Sequence, residues 1–336
     1  MGRRSGTAKK NYIPDDVKFL TKSQIALELI DQSIESGIRV KAWTFDEPYG
    51  WDAHFLDGLD HRMQAFVGEV PPNFRVWVRK PKILRKNRQK RGVGRNRKCP
   101  RVSGQTERGY KVENLARYSP CFRDQSPQRY RVIDKHSGPE VWEIRWHVCW
   151  RKTHDGKFVS AQCTLIVATN VLTGVSKYFL GNRVPGRRGW GIRAMLRVAF
   201  ARPIVEICFR EAKEELGWDH FECRGWQCVH RHLYVAILSQ LFCARVRHRL
   251  CRSEIVTDAT RLTLEQVRRA MDRYIDSLAS PPRLRQEHYQ AVADQINYHQ
   301  RRNAAASKSH WKTRIRQYKD IGIDSMAIKS ILPKPP

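Results

Sequence analysis

"IRVKAWTFDEPYGWDAHFLDGLDHRMQAFVGEV", residues 38–70, decides the fold. Its first part is rich in β-branched and aromatic residues and predicts a strand ending at Asp46. A Pro-Tyr-Gly turn follows, then a short helix over "WDAHFLDGLDHR" and a second strand over "MQAFVGEV". Strand, helix and strand in so short a compass predict a parallel α/β unit. Upstream, "DDVKFLTKSQIALELIDQSIESG" carries Ile25, Ala26, Leu29, Ile30 and Ile34 at helical spacing, with Gly37 as the stop.

Beyond Pro71 and Pro72 the character changes. Residues 79–98, "RKPKILRKNRQKRGVGRNRK", hold no acid and are mostly Lys and Arg, which suits phosphate contact without sequence readout. Lys86, Arg88, Lys90 and Arg91 are the candidates there. Residues 130–182 alternate in strand fashion and predict an antiparallel β-rich segment. Within it, Trp142, Trp146 and Trp150 share one face, as core or as platforms for an unpaired base. From Ile192 the chain reads as helices, one of them over 264–280 with Thr263 as its N-cap. The basic stretch from Ile296 on reads as a docking helix or a DNA-contact arm.

Composition narrows the partner. With 41% hydrophobic residues the chain can build a core, and a net charge of +30 calls for a polyanion, nucleic acid before a membrane surface. No apolar run is long enough to span a bilayer, and "MGRRSGTAKK" lacks the apolar core of a secretory signal. Of the nine Cys, Cys223 and Cys228 lie near His230 and His232, but the spacing fits no familiar zinc knuckle. Reduced thiols of a cytoplasmic protein are the expectation.

Two carboxylates carry the chemistry. Asp46 stands at the C-terminal end of a strand expected to be parallel, where α/β sheets place their sites, although a turn-forming Asp before Pro48 reads the same way. Glu206 stands on a helix opened by Pro203, with Arg202 one turn before, Arg210 one turn after and Lys213 two turns after. An exposed ion-pair ladder is the plain alternative.

The spacing of Arg202, Glu206 and Lys213 resembles the Arg–Glu–Lys part of the Tyr–Arg–Glu–Lys signature of bacterial DDE transposases of the insertion-sequence-four type. "VKFLTKSQIALELI", "WTFDEPYG", "SKYFLGN", "KEELGWDHFECRGWQCVHRHLYV" and the basic "NAAASKSHWK" are similar to family segments in the same order. The resemblance implies an α/β fold: an RNase H-like core in residues 1–68 and 191–262, a β-rich basic insertion in 69–190, and a C-terminal helical tail in 263–336. It implies that Asp46 ligates one divalent metal and Glu206 a second, two Mg²⁺ or Mn²⁺ ions in all, for phosphodiester transfer. Arg202, Arg210 and Lys213 would then hold DNA backbone. The partners implied are transposon ends and target DNA, with a homodimer on the DNA, no membrane, and a place at the nucleoid in a bacterial cytoplasm.

Two departures accompany the resemblance. The signature Tyr falls on Ala199, beside Phe200. The family's first catalytic Asp belongs upstream of "VKFLTK", where only Asp15 and Asp16 precede the helix, and neither suits the role. The expectation is therefore a chain lacking the N-terminal strands of the core, with an open apolar edge at "VKAWTF" and no complete acid set. A binding protein without catalysis, acting on element ends or on a complete enzyme, is the alternative; an RNA-binding protein explains the charge alone.

Overall fold

The computed structural model describes residues 11–84, 101–102, 109–135, 138–155, 158–187, 189–250, 262–279 and 281–331. It divides into two compact units, one of Leu20–Arg202 with Arg314–Pro336, the other of Met1–Phe19 with Pro203–Thr313.

The first unit is a mixed α/β body. Helix α1, Lys22–Glu35, starts in a capping box in which Thr21 and Gln24 satisfy each other's backbone N–H groups. Helices α2 (Glu47–Trp51) and α3 (Ala53–His61) follow, then strand β1 (Val67–Val70). The strand expected before Asp46 is reduced to one parallel bridge, Trp43 to Phe66, because only residues 43–45 face β1. The parallel sense holds: the Trp43 N–H donates to Ala65 O, and Val67 and Glu69 donate to Trp43 O and Phe45 O. Ile38 and Val40, earlier in the expected strand, are exposed.

The apolar face of α1 also differs from its expected stripe. Leu27 and Ile30 are buried, while Ile25, Leu29 and Ile34 are exposed. The helix is rotated toward α3, where a Cβ on Gly58 would stand 2.6 Å from Leu27 Cδ1, so glycine permits the approach. Arg62 ties the pair, donating through Nε and Nη2 to the two oxygens of Asp31 at 2.6 Å each. Those hydrogen bonds hold the Asp31 carboxyl below its usual range, against a smaller opposing effect of desolvation.

Short strands β2 (Arg75–Trp77), β3 (Ile83–Leu84), β4 (Arg101–Val102) and β5 (Tyr110–Lys111) precede helices α4 (Val112–Tyr118) and α5 (Pro120–Arg123). A meander follows: β6 (Gln128–Lys135), β7 (Gly138–Arg151), β8 (Cys163–Asn170) and β9 (Ser176–Gly181), closed by helix α6 (Ile192–Ala199). One antiparallel sheet runs β1-β9-β8-β7, and β7 is long enough to pair with β6 along its first half and with β2 at its far end. The boundary expected at residues 68/69 thus runs through β1, inside one sheet. Apolar residues cover both faces: Phe55, Leu56, Phe66 and Leu165 on one, Val67, Ile166, Met195 and Leu196 on the other. Trp142 packs in the second core against Phe200, 5.1 Å between rings, and Trp146 lies against the same core.

Helix α3 is pinned to the sheet by charge. Arg151, at the end of β7, is 1% exposed and sits 2.6 Å from Asp57 and 2.7 Å from Asp60. Asn182 donates to the other Asp60 oxygen at 2.8 Å. Cys163 lies in the same buried region, and its thiol is pushed up to about 11 by burial, with the Arg151 charge pulling the other way.

The second unit is helical: α7 (Pro203–Leu216), α8 (Trp226–Leu250) and α9 (Leu264–Leu278), the last capped by Thr263 and Gln266. Glu211 meets Arg247 and Glu215 meets Arg268, each at 3.4 Å, so one side of α7 is tied to α8 and α9. Tyr234, Val235, Leu238, Leu241 and Phe242 of the apolar α8 remain exposed. A Cys223–Cys228 disulfide joins the loop before α8 to its first turn, which corrects the expectation of reduced thiols there: the α8 turn brings Cys228 back beside Cys223. The described Cys121, Cys149, Cys163, Cys208 and Cys243 are free.

The tail is one helix of 39 residues, α10 (Pro282–Asp320), assigned to the second unit through Thr313 and to the first from Arg314 on. In the first unit its end is buried: the Val141 N–H donates to the Tyr318 hydroxyl at 2.8 Å. Beyond it the chain lies parallel to β6, with Arg131 N–H on Lys329 O and Ile331 N–H on Arg131 O. Arg193 and Arg197 of α6 donate to the carbonyls of Ser330 and Ile331.

Removing Asp60 leaves the buried Arg151 with half its compensation. Asp60→Ala should lower unfolding free energy by about 3 kcal/mol in urea titration; a loss under about 1 kcal/mol would show that the network is not structurally important.

Candidate nucleic-acid and metal site

Asp46 is positioned by the turn that follows it. Its carbonyl accepts the Gly50 N–H at 2.9 Å, closing the first turn of α2, and Pro48 fits that turn because its missing N–H is not needed there. Gly50 presses on β1: a Cβ on it would stand 2.0 Å from Glu69 O. Only glycine lets α2 lie this close, and that contact fixes where Asp46 stands.

Asp46 occupies the N-cap position of α2, yet its side chain makes no capping hydrogen bond. One oxygen, Oδ2, is 3.3 Å from Arg202 Nη2. The other, Oδ1, is buried with no partner among the described residues. Thr44 Oγ1, two residues earlier and so on the same face of the extended chain, is also buried and unpartnered. Two such oxygens cost free energy unless something donates to or coordinates them. Oxygen donors of this kind suit a hard divalent cation. Among the described residues, no cluster of three or more His, Cys, Asp or Glu stands together as a ready metal cage.

The other expected residues belong to α7 in the second unit, so they are described there. Glu206 is exposed in the first turn, and Arg210 and Lys213 are exposed beyond it. Arg210 faces Glu214 at 3.9 Å and Lys213 faces Asp219 at 4.0 Å, both pairs well exposed. Arg202 pairs with Asp46, Arg210 with Glu214 and Lys213 with Asp219. Exposed pairs at these distances are worth a few tenths of a kcal/mol, so both cations can turn to another anion. Gly217, at φ +61°, ends α7, and the stacked rings of Phe209 and Trp218 hold its last turns. Lys86, Arg88, Lys90 and Arg91 lie outside the described residues.

The Arg202–Asp46 pair spans 156 residues of sequence, and periodicity gives no sign of it. The unpartnered oxygens are equally silent in the sequence. A Thr two places before an acid at a strand end was the only available hint.

A family model described as a DDE superfamily endonuclease matches residues 4–134. The match includes Asp46 and ends before Arg202, Glu206, Arg210 and Lys213. It supports a DDE transposase-type protein with nuclease function; DNA is the substrate such a family implies, and the superfamily generally uses divalent metal ions. No curated protein matches the chain. No helix among the described residues is long and apolar enough to cross a membrane.

The Gly50 contact can be tested directly. Gly50→Ala should destabilise the first unit by about 1–3 kcal/mol through overpacking, read as a lowered thermal midpoint; an unchanged midpoint would mean that α2 does not rest on β1.

Proposed function

We propose that the chain is a DDE-type DNA transposase of the insertion-sequence-four kind, acting at transposon ends and target DNA as a homodimer. The observation that carries this is Asp46: it lies within the DDE endonuclease match, and its Oδ1 is buried without a partner. Asp46 holds one divalent cation in this reading, with Glu206 supplying the carboxylate for a second. Mg²⁺ or Mn²⁺, when bound, stabilises charge on the attacking and leaving oxygens of an in-line phosphodiester displacement.

The protein's own residues have separate tasks. Asp46 presents one oxygen, Oδ1, that is shielded from solvent, while Oδ2 faces Arg202. Arg202 balances that charge in the absence of DNA; its planar guanidinium is suited to turn to a phosphate. Arg210 and Lys213 hold backbone phosphates through contacts that cost little to exchange. Lys86, Arg88, Lys90 and Arg91 add sequence-independent phosphate contacts. A bacterial nucleoid is the place where such a charge finds its partner.

A second reading rests on the Arg202–Asp46 pair, which occupies one carboxylate oxygen with a guanidinium. A protein held in that state binds DNA, or a complete transposase on DNA, and does not cut.

Incubation of the full chain with supercoiled plasmid carrying element ends separates the two. Nicking in Mg²⁺ or Mn²⁺ should fall at least about 100-fold in Asp46→Asn and Glu206→Gln, since each removes several kcal/mol of charge stabilisation. Undiminished nicking in both variants would refute the site. Binding that falls steeply with salt, without nicking by the wild type, would favour the second reading.

A further inference from the structure

The first unit carries a cavity of about 600 Å³, bounded by β2, β5 and α4, whose described lining does not include Asp46. That volume falls within the roughly 300–1,000 Å³ of sites that take a small planar ligand. Trp77, 3% exposed, forms part of its floor. Two tyrosines stand at its walls with their rings available: Tyr110 on the edge strand, 48% exposed, and Tyr118 at the end of α4, 61% exposed. The Arg117 guanidinium lies 5.4 Å from the Tyr118 ring centroid and steadies that ring through its π face.

The rim is cationic. Among the described residues, Arg79 and Lys80 line it and no Asp or Glu does. Asn114 adds an amide able both to donate and to accept. Exposed aromatic faces beside cations without acids make a combination that stacks a base and holds its phosphate. A base inside a duplex cannot enter, because its faces are covered and its edge is paired.

We propose that this cavity takes one unpaired nucleotide of a DNA strand, its base against Tyr118 and Tyr110 and its phosphate on Arg79 and Lys80. The site rests on the reading of the chain as a DNA-binding protein and adds a preference for single-stranded DNA to it.

The test uses the full chain and fluorescence anisotropy with three probes: a thymidine pentanucleotide, an abasic strand of the same length and charge, and a duplex. Wild type should bind the thymidine strand about 5- to 100-fold tighter than the abasic one. Tyr118→Ala and Tyr110→Ala should each lose most of that preference while keeping duplex affinity, and Tyr118→Phe should keep it. Circular dichroism should be unchanged, since both tyrosines are exposed. Equal affinity of the wild type for the two strands, or a full preference in Tyr118→Ala, would overturn the site. If duplex binding persists in that case, the reading as a DNA-binding protein stands; if no probe binds, both fall.

Discussion

The Arg151 guanidinium, closed between Asp57 and Asp60, is the constraint on which the rest of the first unit depends. A buried cation is tolerable only when its compensation is held in place. Both acids sit on one face of α3, three residues apart, so the pairing sets the rotation of that helix as well as its distance from β7. Once α3 is fixed, the loop back to β1 and the parallel contact at Trp43 have little freedom. Asp46 inherits its position from this arrangement.

Much of this was legible in the residues, and the reason is local signals. The strands from β6 to β9 are rich in β-branched and aromatic residues between turns, and the N-cap at Thr263 announces its helix. The change of chain direction after Asp46 was legible because Pro48 and Gly50 mark it. Contacts between distant segments leave no such pattern. The rotation of α1, which buries Leu27 in place of Leu29, follows from a glycine on another helix. The Cys223–Cys228 bridge depends on how the α8 turn folds back, and composition alone favoured free thiols. The pairing of Arg202 with Asp46 is likewise a property of the fold, of which helical spacing gives no sign.

The basic character of the chain acquires a finer grain in the structure. Some cations are committed: Arg62 to Asp31, Arg151 to two acids, Arg193 and Arg197 to carbonyls of the tail. Others, such as Arg79 and Lys80 at the aromatic cavity, stand at a rim to which no described acid contributes. A net charge of +30 therefore overstates what is available to a polyanion and understates how it is distributed. Local groups of uncommitted cations decide where a phosphate backbone can rest.

The parallel bridge that residues 329–331 make to β6 has a consequence in time. Arg131 on β6 and Met326 beside that bridge are 195 residues apart in the sequence. At ordinary rates of synthesis the ribosome needs roughly 10–40 s to cover such an interval. The meander is complete only once β9 ends at Gly181, so in the later part of that interval the sheet can be formed while the outer side of β6 still offers bare N–H and C=O groups, the kind of edge that recruits foreign strands. The nascent protein thus passes through a stage in which its sheet is finished but unsealed, and the segment around Ser330 acts as the closure.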